Sequence, residues 1–219
     1  MRIGFVILHY NVVKETEKCV ASIFEKIDTD DFCKVIEEEY KNSAFAVLGP
    51  KIHSPAGNDS NPVKKRMMTV AELEKKRARW RRFRMRNILH LGFFDTAYSF
   101  IADRLGPGPA KKHMQSDIRQ ENVELHGCCW IFSPKFIEKY DGLNPRTFLY
   151  QEEDILFAQM LHDKMLMVYN PALKIYHSED AATNSVCESS RKKKIFIYEN
   201  YLKSSEVLLQ ILKKIEGQA

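Results

Sequence analysis

Apolar and polar positions follow two different periods along this chain. Ile3, Phe5, Val6, Ile7 and Leu8 form a near-continuous apolar run within residues 2–10, the pattern of a strand buried on both faces. After a turn at Asn11 the period lengthens, and Val20, Ile23 and Phe24 recur at helical spacing between Glu15 and Glu25. That is the strand–turn–helix opening of an α/β unit. A second helix is predicted from Asp28 to Asn42, with Asp30 or Asp31 as N-cap and Phe32, Val35, Ile36 and Tyr40 on one face. A short strand, Ala44 to Leu48, ends at Gly49-Pro50, and residues 54–62 read as an exposed loop.

The second half alternates in the same way. One or two helices are predicted from Thr69 to Leu105, stopped by Gly106-Pro107-Gly108-Pro109. Val123 to Phe132 is strand-like, and Ser133 caps a short helix that opens on Pro134 and runs to Tyr140. Turns at Asp141-Gly142 and Asn144-Pro145 precede an amphipathic helix from Glu152 to Lys164. Two short strands, Met165 to Tyr169 and Leu173 to Tyr176, flank Asn170-Pro171. A tail helix spans Ser189 to Ile215, with Ile195, Tyr198, Tyr201, Leu202, Leu208, Leu209 and Leu212 on one side.

Composition sets limits on this picture. The 219 residues, 44% hydrophobic and 11% aromatic, belong to a globular chain of one domain, with or without an appendage. No run of 18 apolar residues offers a spanning helix. The apolar start runs into Asn11 and Lys14-Glu15 without a small-residue cleavage site, so a signal peptide is not expected. Five cysteines, with Cys128 and Cys129 adjacent, suit neither a disulfide framework nor a paired-CxxC zinc site. Reduced thiols, mostly acting as small buried hydrophobes, are the simple expectation.

Charge adds a separate feature. Residues 64–86 hold eleven Lys or Arg against Glu72 and Glu74, a local excess of +9 that leaves −4 for the remainder. Trp80, Phe83 and Met85 are interleaved with the arginines. Such a segment is a solvated helix, a helix that lies on an anionic membrane surface, or an RNA-binding helix. A purely nucleic-acid-binding chain would leave the acidic stretch described next without a purpose.

Glu152, Glu153 and Asp154 open a helix directly after Phe148-Leu149-Tyr150. Carboxylates in a first turn complement the helix dipole. Apolar neighbours would also raise a carboxyl's pKa and make it a useful general base. His177, at the end of a short strand, reads either as a surface residue or, beside an acidic cluster, as a metal ligand. Asp28-Thr29-Asp30 spells a DxD metal motif and equally a helix start.

Several segments resemble family 2 glycosyltransferases in that family's order. Ile7-Leu8-His9-Tyr10-Asn11 and Thr16-Glu17-Lys18-Cys19-Val20-Ala21-Ser22-Ile23 are similar to the opening strand and helix. Ala46-Val47-Leu48-Gly49-Pro50-Lys51-Ile52 resembles the GPKI strand, and His126-Gly127-Cys128 resembles the acceptor-site turn. Phe148-Leu149-Tyr150-Gln151-Glu152-Glu153-Asp154 resembles the FLYxED motif, and Pro171 with His177 resembles the closing P-x-x-x-x-x-H. Arg191 to Ser204, with Tyr198, Asn200 and Ser204, is similar to the tail helix.

The resemblance implies a GT-A-like mixed sheet flanked by helices, reduced in size and followed by a C-terminal helix. It implies an inverting transfer from a nucleotide-sugar donor to a saccharide or lipid-linked acceptor in cell-surface polysaccharide synthesis. A divalent metal, Mn²⁺ or Mg²⁺, would assist. The reduced thiols point to a cytoplasmic place, and the basic helix to one peripheral to the membrane. By position, Glu153 stands at the catalytic base, with Glu152 before it and Asp154 as base if the register shifts by one. Gly127, Cys128, His126, Tyr150 and Asn11 would bind substrate, and His177 would face the metal and diphosphate. Asp28 and Asp30 join the metal ligands only by their DxD spelling, since Asp30-Asp31-Phe32 better matches the helix start that follows the family's motif.

The same resemblance divides the chain into an abbreviated N-terminal part (1–62), a basic helical insert (64–105), an acceptor part (122–180) and the tail (189–215). Only about twenty residues separate Phe24 from Phe45, room for one helix. The family's donor region, two strand–helix units of about 30 residues each, does not fit there.

Overall fold

A computed structural model of the chain describes residues 13–27, 30–54, 59–91, 114–177 and 190–217. The expected strand over 2–10, with Asn11 after it, and Asp28 lie outside the described residues. The described elements are α1 (Val13–Ile27), α2 (Asp30–Ser43), β1 (Val47–His53), α3 (Val70–Ile88), β2 (Gln120–Glu121) and β3 (Ile131–Phe132). They continue with α4 (Pro134–Lys139), α5 (Glu152–His162), β4 (Met167–Tyr176) and α6 (Ser190–Ile215). A single helix, α2, leads directly into β1, as the short interval before Phe45 requires.

The four strands form one mixed sheet in the order β2-β4-β1-β3. β1 and β4 are parallel, and β2 and β3 add antiparallel to their outer edges. Val47, Leu48, Ile52, Met167 and Val168 are buried, as a parallel pair covered on both faces demands. β1 does not stop at Gly49-Pro50 but runs through them to His53. The two strands expected around Pro171 are one strand, because the register shifts from Pro50↔Asn170 to Lys51↔Lys174 and leaves residues 171–173 as a bulge. Proline, with no N–H to give a ladder, is accommodated there.

α2 covers one face through Ile36, packed with Phe45, Leu48, Val168 and Leu173. α5 covers the other through Leu156, Phe157 and Met160. Its opposite side, Ile155 and Ala158, meets Leu73 and Trp80 of α3 and Leu208, Leu209 and Leu212 of α6. α5 is therefore a buried middle layer between the sheet and the pair formed by α3 and α6, not the one-sided amphipathic helix its sequence suggested. No helix among the described residues is long and apolar enough to cross a membrane.

The basic segment is corrected most. Helix starts only at Val70, where Thr69 and Glu72 close a capping box, while Lys64 bridges antiparallel to Glu124. Trp80 and Phe83 do not face outward. Trp80 stacks on Tyr201 at 4.8 Å and Phe83 meets Tyr198 at 5.7 Å. Arg77 is buried, donating to Ser205 Oγ (2.9 Å) and to Glu206, and Arg84 donates to Glu199 (2.7 Å). These pairs fix α3 antiparallel to α6.

Candidate active site

The site is assembled at the C-terminal edge of the parallel pair, where ligands of open α/β sheets are bound. β1 ends in His53 and β4 in Tyr176, and these two are register partners. The chain leaves β4 at His177, whose N–H donates to His53 O (2.9 Å). The ring of His177 stands 5.7 Å from that of His126.

His126 is held by a residue that sequence reasoning left in an exposed loop. Asn61 is buried; its Oδ1 accepts from His126 N–H (2.7 Å) and its Nδ2 donates to Pro50 O (2.9 Å). One side chain thus ties the loop, β1 and the turn that follows Leu125. Within that turn Cys128 N–H donates to His126 Nδ1 (3.2 Å). The strand expected over 123–132 is consequently broken: only Glu124 bridges and only Ile131–Phe132 is strand.

The turn meets the acids. Gly127 N–H donates to Glu153 Oε1 at 3.1 Å. A Cβ on residue 127 would stand 2.7 Å from that oxygen, so any larger residue would push the Glu153 carboxylate aside. Glu153, Gly127 and Cys128, separated by about two dozen residues in sequence, therefore share one place.

Asp154 has a different role. It pairs with Lys64, whose Nζ also lies 2.8 Å from Glu124 Oε2, and Glu124 and Asp154 keep only 5% and 14% side-chain exposure. Asp154, the fallback base, is thus engaged as half of a shared ion pair. Burial first, and the charge of Asp154 second, push the Glu124 carboxyl up; burial opposes the Lys64 charge, but the two carboxylates outweigh it and hold the ammonium above its ordinary value. Neither Lys64 nor Glu124 stood out in the sequence, although an acid between Val123 and Leu125 was a signal that something buried must pair it.

The backbone entering α5 is strained. Tyr150 and Gln151 are consecutive non-glycine residues with φ of +67° and +68°, each costing on the order of 1 kcal/mol or more. Packing holds them: Tyr150 stacks on Tyr201 at 4.4 Å, and Ser204 Oγ donates to Leu149 O at 2.7 Å. Tyr150, Tyr201 and Trp80 form one continuous stack across three segments. Phe148, expected to help bury the acids, is 69% exposed.

Burial, then the charge of Glu153, pushes the Glu152 carboxyl up from 4.5 to about 7. The unfolded chain releases this proton at the ordinary value. The folded form holds it in between, so the contribution to stability is complete below about pH 4.5 and lost as pH rises through about 7. The depressed carboxylates Glu39, Asp59, Glu72 and Asp163 titrate below that window. Glu152→Gln is accordingly expected to gain stability relative to the parent as pH rises across the window, read from urea midpoints; parallel midpoints at all pH values would refute it.

Cys128 and Cys129 are free thiols pushed up by burial, to about 12 and about 11, which is the opposite of an activated nucleophile. Asp30 opens α2, but its side chain lies outside the described residues. Among the described residues no three His, Cys, Asp or Glu side chains gather to hold a metal ion. Of the three expected ligands, Asp28 and the Asp30 side chain lie outside the described residues, and His177 stands beside His126. Compared with models of known protein families, with curated proteins and with solved structures, the chain matches none.

Proposed function

We propose that the chain carries the acceptor-side half of an inverting, nucleotide-sugar-dependent glycosyltransferase site on a reduced GT-A-like sheet. The observation that carries this reading is the contact between Glu153 Oε1 and Gly127 N–H. It joins the acidic helix start to the turn that would line the acceptor pocket, at the edge of the parallel pair where His126 and His177 also stand. In that arrangement Glu153 accepts the proton of an acceptor hydroxyl as its oxygen forms the new bond to the anomeric carbon. The bond from that carbon to the nucleotide diphosphate breaks on the opposite face, which inverts the configuration. The nucleotide diphosphate leaves with the electron pair, and the proton passes from Glu153 to solvent.

A second reading is favoured by one observation: α2 enters β1 with no further strand–helix unit between them. A donor half shortened in this way supports a non-catalytic module that keeps acceptor binding. Turnover of a panel of nucleotide sugars separates the two readings. The catalytic reading expects nucleotide release that falls at least about a hundredfold in Glu153→Gln, together with weak donor binding by calorimetry. The absence of any Glu153-dependent release of nucleotide favours the module instead.

A further inference from the structure

α3 meets the rest of the protein through one face, where Leu73, Arg77, Trp80 and Asn87 are buried. On the opposite face Lys75, Arg79, Arg82 and Arg86 follow at intervals of four, three and four residues, all exposed. That spacing stacks them as one row along the helix. Lys75, Arg79 and Arg82 make no hydrogen bond or ion pair among the described residues. Like charges at these intervals work against a helix, so the row is not explained by the stability of α3.

Two further observations converge on the C-terminal end of the row. Met85, Leu89 and Leu91 are exposed there at 51%, 57% and 39%. The antiparallel pairing also brings the basic first turn of α6 to this end, with Arg191 Nη1 donating to Asn87 O at 3.3 Å. That turn contains no acid, so its cations oppose the helix dipole.

We infer that this face docks on an anionic lipid surface, the cations meeting head groups while Met85, Leu89 and Leu91 enter the boundary with the acyl chains. Exposed aliphatic side chains beside a row of cations fit such a boundary. A single-stranded nucleic acid needs aromatic platforms, and the two aromatic side chains of α3 are both committed to α6. The inference is independent of the catalytic reading.

The full chain is co-sedimented with vesicles of neutral lipid and with vesicles of about one-third phosphatidylglycerol, at low and high salt. Binding is expected only to the anionic vesicles and weakens with salt. Arg79→Glu/Arg82→Glu is expected to reduce it at least about tenfold, whereas Lys135→Glu/Lys164→Glu, an equal change of charge at two other exposed positions, has a much smaller effect. Met85→Ser/Leu89→Ser is expected to remove the part that survives high salt. Equal binding to neutral vesicles, equal losses in the two reversed-charge proteins, or tighter binding to single-stranded RNA than to anionic vesicles at the same salt overturns the inference.

Discussion

Replacement of Lys64 by methionine is expected to destabilise the chain by about 3 kcal/mol or more. Lys64 is the only cation paired with either Glu124 or Asp154 among the described residues, and both carboxylates are nearly buried. Methionine fills the aliphatic volume but leaves Asp154 without its cation and forces Glu124, whose carboxyl burial already pushes up, to take up a proton, and the penalty comes from these two uncompensated acids more than from the lost attraction. Lys64→Met combined with Glu124→Gln and Asp154→Asn is therefore expected to recover most of the loss. Urea denaturation of the three proteins at neutral pH measures it. The deficit of the single variant is also expected to shrink on acidification, as the Glu124 carboxyl takes up its proton. A variant as stable as the parent would show that water reaches the pair freely.

Trp80→Ala is expected to cost about 3–5 kcal/mol, the range for emptying a large aromatic side chain from a packed position. The effect should extend beyond α3. Trp80 is 8% exposed and forms one end of the stack that continues through Tyr201 to Tyr150. Loss of that end removes support from the left-handed backbone at Tyr150 and Gln151, immediately before the acids. Trp80→Phe retains part of the stack and is expected to lose less than half as much. Near-ultraviolet circular dichroism should show changes in the tyrosine region as well as the tryptophan region. A change confined to tryptophan would mean that the loop at 148–151 stands without the stack.

What the sequence disclosed was what neighbouring residues decide among themselves. Ser133 followed by Pro134, the three acids at 152–154 and the long apolar stripe of the tail each mark a helix within a few residues of its observed bounds. The contact of Glu153 with Gly127 was not predicted: the resemblance gave the two residues separate roles, base and acceptor-pocket lining. The features that were not legible depend on partners far apart in the chain. Nothing local to Lys64 tells that Glu124 and Asp154 wait for it, and nothing around Asn61 tells that its amide joins β1 to the turn at His126. The aromatic residues of α3 carried the same ambiguity, because a stripe of Trp80 and Phe83 looks alike whether it will meet lipid, a nucleobase or another helix. The tail helix resolved it by presenting Tyr198 and Tyr201 at matching heights.

The chain contains two tryptophans, and the fold has placed them in different neighbourhoods. Trp80 lies between α3 and α6, on the side of α3 opposite its row of cations. Trp130 donates its Nε1–H to Leu125 O at 3.3 Å, and its ring borders the space above Gly127. Each indole therefore samples a different region, and removing one isolates the signal of the other. Trp80→Phe leaves an emission signal from the turn that faces Glu153, and Trp130→Phe leaves one from the α3–α6 pair. The protein thus carries its own pair of optical probes, one for events at the acidic site and one for events at the outer helices.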